Sequence, residues 1–256
     1  MAGAQAFNLL GGSGDDSFIF ANGATLTGTL NGQAGVDTLN FASYTTARHI
    51  TLTATGSSDG FNGSAASISG GFSNIDKLVG SSVNSDSLTG LNTTATWSLK
   101  ASGTHEYAAG KTLSFAGFES LIGGSAADTF AVQDGAAFNG AMDGKNGTDT
   151  LSYAGNSSDL AVLLLGLGTL DGFSGSASGI STGFNNINAL VGGNGADTLT
   201  GLNGVASWSL TNTNNGVYIA TNSFNFSSVE NLVGGSSVDT LTFTSSSLAR
   251  SISLTG

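Results

Sequence analysis

Seven aspartates hold the same place in seven stretches rich in small residues, and their carboxylates are the groups in this 256-residue chain whose spacing could do chemistry. They are Asp16, Asp37, Asp86, Asp128, Asp149, Asp197 and Asp239, in stretches such as "GGSGDDSF", "NGQAGVDTL", "GGSAADTF" and "GGNGADTL". Successive separations are 21, 49, 42, 21, 48 and 42 residues, close to multiples of a unit of about 21 to 24. Carboxylates next to turn carbonyls form the oxygen-rich donor set that calcium takes, about six to eight ligands at 2.3 to 2.6 Å. If the chain returns once per such unit, Asp16 lies over Asp37 and Asp128 over Asp149, roughly one strand spacing apart. Two carboxylates that close repel unless a cation sits between them. Asp15, Asp16, Asp37, Asp128, Asp149 and Asp197 are therefore the candidate metal ligands, with calcium as the candidate ion. The rival reading is that each aspartate accepts hydrogen bonds from its own turn amides and faces water. The turn glycines Gly11, Gly12, Gly14, Gly192, Gly193 and Gly195 are expected to take positive φ in either case.

Other chemistry is thinner. His49 and His105 are the only histidines and neither recurs in the second half. Glu119 and Glu230 occupy matching positions, but a single recurring carboxylate is not the facing pair that glycoside hydrolysis needs. The expectation is that the chain is not an enzyme. Trp97 and Trp208, Tyr107 and Tyr218, and Phe115 and Phe226 also match. They are read as one core layer repeated, with a stacking ladder for surface glycans as the alternative.

The elements that must position these residues follow from composition and repetition. Only 9% of residues are charged, against about 25% in an ordinary domain, so hydroxyls and amides cover the surface. Net charge is −11 and the 6 basic residues are scattered singly, which argues against a nucleic-acid partner. There is no cysteine, hence no disulfide and no thiolate metal site. There is no proline either, which suits a chain whose amides are committed to strand ladders. The longest apolar run, "LAVLLLGLG", is too short to cross a bilayer, so no membrane insertion is expected. "MAGAQAFNLLGG" lacks the charged and apolar regions of a signal peptide.

"DGFNGSAASISGGFSNIDKLVG" returns as "DGFSGSASGISTGFNNINALVG", and "LNTTATWSL" as "LNGVASWSL", with Trp208 at the place of Trp97. Two copies span residues 7–117 and 118–228, and a partial third spans 229–256. "DSFIF", "DTLNF", "HITLT", "TWSLK", "TLSFA", "DTLSY", "SWSLT" and "FNFSS" read as short strands, and no segment carries a helical stripe. The third copy runs from its opening motif into "TFTSSSLARSISLTG", as though one of the short units were skipped. A solenoid tolerates such a loss, whereas a sandwich would lose core strands. The fold expected is all-β: one continuous β-solenoid over 1–256, of β-helix or β-roll type, with about 21 to 24 residues per coil. Tandem β-sandwiches, one to each long copy, are the alternative.

With these stretches in view, the chain resembles the long bacterial beta strand repeat surface proteins, and its turns are similar to the G-G-x-G-x-D-x-apolar-x nonapeptide of RTX calcium-binding proteins. Only "GGSGDD" and "GGNGAD" keep every glycine of that turn. The resemblance implies an exported bacterial adhesin, fibre or matrix protein, at the cell surface or outside the cell. Neither end shows a polar cap, so the partner expected is another copy, joined head to tail in a homopolymer. A stalk segment of a giant adhesin and a carbohydrate-binding surface module are the alternatives.

Overall fold

The computed structural model describes residues 6–244; the tail that carries the skipped unit, 245–256, lies outside the described residues. Within them the chain is all β, with no helix. The first copy gives β1 (Leu9–Gly12), β2 (Ser17–Ile19), β3 (Leu30–Gln33), β4 (Thr38–Asn40), β5 (His49–Thr55), β6 (Phe61–Ala65), β7 (Ile68–Ile75), β8 (Lys77–Val79), β9 (Ser87–Thr89), β10 (Ala95–Leu99), β11 (His105–Ala108) and β12 (Thr112–Ala116). The second gives β13 (Ser120–Ile122), β14 (Asp128–Val132), β15 (Ala141–Asp143), β16 (Thr150–Ser152), β17 (Ala161–Leu167), β18 (Phe173–Ala177), β19 (Ile180–Ile187), β20 (Ala189–Val191), β21 (Thr198–Thr200), β22 (Ser207–Asn212), β23 (Asn215–Ile219) and β24 (Ser223–Ser227). The third begins with β25 (Asn231–Val233) and β26 (Thr240–Phe243).

These strands form two sheets of 13. The first runs β1-β3-β7-β6-β5-β9-β13-β15-β19-β18-β17-β21-β25 and the second β2-β4-β8-β12-β11-β10-β14-β16-β20-β24-β23-β22-β26. Both sheets continue through the copy boundary: in the first, β13 pairs with β9 behind it and β15 ahead. A single hydrophobic cluster draws on both sheets, so the core lies between them. Alternation fills it: β10 and β14 bury every second residue, and Leu30, Leu39, Leu88 and Leu121 are fully enclosed.

The short, uniform coil expected from the motif spacing needs correction. It holds where the chain makes a plain turn, as in Leu9↔Leu30, Ser17↔Thr38 and Ser120↔Ala141. Elsewhere the parallel partners are far more distant in sequence, as in Leu30↔Phe72, His49↔Ser87 and Ser87↔Ser120. The extra chain forms antiparallel meanders: β5-β6-β7 and β17-β18-β19 in the first sheet, β10-β11-β12 and β22-β23-β24 in the second. Tight corners close them. Gly110 (φ 75°) turns β11 into β12, and Asn214 (φ 59°) turns β22 into β23, both in the left-handed region that these residue types tolerate best.

The meanders meet across the core. Phe61 of β6 packs edge-on against Tyr107 of β11 with centroids 5.5 Å apart, and Phe173 repeats this with Tyr218 at 5.7 Å. Trp97 lies 4.5 Å from Tyr107 and stacks on Phe130 at 5.8 Å. The recurring aromatics are thus core residues, as the first of the two sequence readings has it, and all are buried. Each tyrosine also anchors a corner: the Leu91 amide donates to Tyr107 Oη at 2.8 Å and the Leu202 amide to Tyr218 Oη at 2.9 Å. Tyr107→Phe leaves the Leu91 amide buried without an acceptor, and this should lower stability by about 1 to 3 kcal/mol. In urea unfolding the midpoint falls while the slope stays constant.

Candidate functional site

A strand ladder ends where the chain leaves its sheet, and the amide just before the next strand then needs an acceptor outside the ladder. The turn aspartates supply it from the neighbouring turn. The Asp16 amide donates to Asp37 Oδ1 at 2.9 Å and the Asp37 amide to Asp76 Oδ2 at 3.0 Å. In the second copy the Asp128 amide donates to Asp149 Oδ1, and the Asp149 amide to Asn188 Oδ1, each at 2.8 Å. On the other sheet the Arg48 amide reaches Asp86 Oδ1 at 2.7 Å, the Asp86 amide Glu119 Oε2 at 3.0 Å, and the Asp197 amide Glu230 Oε2 at 2.8 Å. The recurrence of Glu119 and Glu230 therefore has a structural cause.

The second carboxylate oxygen turns into the aspartate's own corner. Asp128 Oδ2 accepts the Gly124 amide at 2.8 Å, Asp197 Oδ2 the Gly193 amide at 2.5 Å, and Asp239 Oδ2 the Gly235 amide at 3.0 Å. The corners of Asp37 and Asp149 depart from this pattern. There the amides of Gln33 and Lys145 turn instead to Asn31 Oδ1 and Asp143 Oδ1, both at 3.0 Å, with φ of 79° and 70°. Asp37 Oδ2 and Asp149 Oδ2 are left buried without a partner, as is Asp128 Oδ1.

The stacking expected for Asp16 over Asp37 and Asp128 over Asp149 is present. The rival picture, each carboxylate facing water, needs correction: Asp37, Asp86, Asp128, Asp149 and Asp197 are all buried, because the neighbouring turn lies over them. Asp15 is exposed and takes the Val36 amide at 2.7 Å. Asp197 stands nearest Glu230 and Asp159 rather than another turn aspartate.

The turn glycines also need correction. None of Gly11, Gly12, Gly14, Gly192, Gly193 and Gly195 takes positive φ. Most are required by crowding: a β-carbon on Gly193 would lie 2.5 Å from the Asn156 carbonyl oxygen, on Gly195 2.6 Å from Ser158, and on Gly11 2.6 Å from Asp16 Oδ2. Gly192 would meet Asp197 Oδ2 at 2.5 Å, whereas Gly12 has only Asp16 Oδ2 at 3.9 Å and Gly14 has open space. The sequence pattern is right and its cause is the neighbouring turn. Gly193→Ala should therefore cost about 1 to 3 kcal/mol, and Gly14→Ala should change the unfolding midpoint little. Equal effects in a thermal melt would contradict this account.

Among the described residues one group of three carboxylates converges, Asp37, Asp59 and Asp76, whose oxygens lie within 4.8 Å of one another. Asp59 Oδ2 takes the Gly35 amide at 3.1 Å and its Oδ1 is buried and unpaired. The matching residues in the second copy are Asp149, Asp171 and Asn188, where the Asn188 amide nitrogen approaches Asp171 Oδ1 at 3.5 Å. An amide there removes one negative charge from the same frame. Sequence reasoning missed Asp59 and Asp76. The available signal was the aspartate that opens both "DGF" segments, paired with the Asp76/Asn188 exchange.

The histidines are apart. His49 Nδ1 lies 2.8 Å from Ser87 Oγ, a pair replaced by Ala161 and Thr198 in the second copy. His105 is buried, its ordinary pKa is lowered by that burial, and its Nδ1 accepts the Lys100 amide at 3.1 Å. Comparison of the chain with protein families, characterised proteins and solved structures finds no match.

Burial dominates the electrostatics of the columns. It pushes Asp149 up to about 7 and Asp128 up to about 6, and it raises Asp37, Asp76 and Asp197 in the same direction. A folded-state carboxyl raised above its unfolded value of 3.8 binds protons that the unfolded chain has released. Stability from these groups is therefore fully present below about pH 4, is lost as pH rises from there through about 6 to 7, and is flat above. The melting temperature should be higher at pH 5 than at pH 8. Asp149→Asn should flatten that dependence and raise the melting temperature at pH 8, since an amide donor then occupies the unpaired position.

Proposed function

We propose that the chain is a structural subunit of an extracellular bacterial filament, sheath or matrix: a β-solenoid rod whose copies meet head to tail. The observation that carries this reading is the passage of both sheets through the boundary between the copies, where one copy meets the next by strand pairing, β13 on β9 and β14 on β10. β1 and β2 correspond through the repeat to β13 and β14, and again to β25 and β26. In the interior, Leu121 and Phe130 of that unit are fully enclosed. At the outer strands Leu9 and Leu241, of the same rows, are 43% and 47% exposed, while Phe18 stays buried, and Leu10 and Val233 of the outward row are 56% and 45% exposed. Ile19, on β2, is 68% exposed. A strand edge beside an apolar row is the surface that strand addition uses. One edge on the other makes a contact that does not close, and such contacts generate filaments.

A continuous solenoid is favoured over tandem sandwiches by the passage of both sheets through the copy boundary, since separate sandwiches would each need their own sheets. Thirteen strands at about 4.8 Å spacing give a rod of roughly 58 Å per chain. The resemblance to beta strand repeat surface proteins supports an extracellular site. The glycan-binding alternative loses support, because the aromatics it would use are in the core.

The test is negative-stain electron microscopy of the purified chain with calcium and after chelation. Filaments in both conditions are expected of intrinsic assembly, and filaments with calcium alone would place the ion in assembly. Isolated rods at high concentration would overturn the filament reading in favour of an adhesin stalk. Leu9→Lys with Leu241→Lys should leave the circular dichroism unchanged and abolish filaments.

A further inference from the structure

The carboxylates of Asp37, Asp59 and Asp76 stand on a frame that both copies build, and the two copies fill it differently. Asp37 lies just before β4, Asp59 in the corner between β5 and β6, and Asp76 between β7 and β8. Asp37 is fully buried; its Oδ1 accepts the Asp16 amide, which leaves Oδ2, the oxygen without a partner, as the one it has free. Asp59 Oδ2 accepts the Gly35 amide, and Asp59 Oδ1 is likewise buried and unpaired. Asp76 Oδ2 accepts the Asp37 amide at 3.0 Å.

Copy two shows where the free oxygen of Asp59 points. Asp171 matches Asp59, and its Oδ1 faces the amide nitrogen of Asn188 at 3.5 Å. Asn188 stands at the place of Asp76 and accepts the Asp149 amide as Asp76 accepts that of Asp37. The frame needs an acceptor here in both copies, and copy two adds a donor on the other side. In copy one that donor is exchanged for a third carboxylate. Asp149 Oδ2 alone stays unpaired in this part of copy two, whereas Asp37 Oδ2 and Asp59 Oδ1 both do in copy one. Lys111 stands close enough to Asp76 to favour its charged form, but its ammonium donates to the Gly56 carbonyl at 2.6 Å.

We infer that Asp37, Asp59 and Asp76 form a site for a divalent, oxygen-seeking cation, calcium by the fit of its ligand distances, and that Asn188 closes the matching site in copy two. Three oxygens within 4.8 Å of one another can all lie at the distance of about 2.3 to 2.6 Å that calcium takes. A buried carboxylate oxygen that no donor reaches is costly, and a shared cation removes that cost for the whole group. A neutral oxygen stands beside them. Asp37 Oδ2 and the Asn74 carbonyl oxygen lie 2.3 and 2.2 Å from the point that a β-carbon on Gly32 would hold, and calcium accepts carbonyls along with carboxylates. Three carboxylates against the one ammonium of Lys111 leave an excess of about two negative charges, which one divalent ion balances. The ligands are not a stack of turn aspartates: Asp16 is outside the group, and Asp59 and Asp76 flank the strands of a meander. The site belongs to the single chain and does not depend on end-to-end assembly.

The experiment is calorimetric titration of calcium chloride into the whole chain, freed of metal by a chelator, near neutral pH. About one ion per chain is expected, with a rise in melting temperature in millimolar calcium. Asp76→Asn copies the residue that copy two carries on this frame and keeps an acceptor for the Asp37 amide, so the fold should persist while the heat and the rise disappear. Asn188→Asp should bring the capacity to about two ions per chain. Asp128→Asn alters a buried turn aspartate outside the group and should leave binding intact. No binding by the unaltered chain, binding that survives Asp76→Asn, loss of binding in a folded Asp128→Asn, or a capacity unchanged in Asn188→Asp would each overturn the inference.

Discussion

The aspartate-bearing turns of the described residues face the same difficulty: a backbone amide is taken out of water, wholly or in part, where its strand ladder has stopped. An orphaned buried amide costs about 1 to 3 kcal/mol. The carboxylate of the adjacent turn meets it, as when Asp37 takes the Asp16 amide and Asp149 the Asp128 amide. To reach that far the two turns must almost touch, and a side chain at the contact would hold them apart. Glycine at positions such as 193 and 195 follows from this, as does burial of the acceptor. Burial then disfavours the charge on the carboxylate, which is why Asp37, Asp128, Asp149 and Asp197 hold a proton more readily than a free carboxyl. The aspartates, the glycines and the raised pKa values are one requirement seen three ways.

A second constraint acts at longer range. Two sheets that enclose one core must present equal widths, and each meander adds two strands to one sheet only. β5-β6-β7 widens the first sheet, and β10-β11-β12 restores the balance in the second. The smallest unit that returns both sheets to step contains one of each. This accounts for the long repeat that carries Trp97 to Trp208, in place of the short one that carries Asp16 to Asp37. The Phe61–Tyr107 and Phe173–Tyr218 contacts lie where the two insertions meet.

This division explains what the sequence made legible. Strands with apolar alternation, such as "DTLNF", "HITLT" and "TWSLK", stand where their pattern places them. β6 and β7 are not visible as strands in the sequence, because "FNGSA" and "ISGGFSNI" are built largely from glycine, serine and asparagine. Their weak pattern has a packing cause: a β-carbon on Gly63 would strike the Phe72 ring. The register of a strand is set by its partner, and a partner as distant along the chain as Phe72 is from Leu30 leaves no local mark. The same holds for the Asp37, Asp59 and Asp76 cluster, whose members are adjacent only because two meander strands fold between them.

The columns also bear on how such a molecule could acquire function. Asp76 and Asn188 occupy one position in two copies of the same frame, and both accept the amide of the aspartate before them. The structural task needs only an oxygen, so the charge is free to vary. Likewise the outward residues of β5 and β17 answer to no packing demand, and threonine in one copy stands as leucine in the other. Duplication has left a scaffold in which the inner half of each strand is fixed by the core and the corners by the amides. What remains adjustable is the charge inside the turns and the polarity of the outer faces, and those two variables decide which ions and which surfaces the molecule can meet.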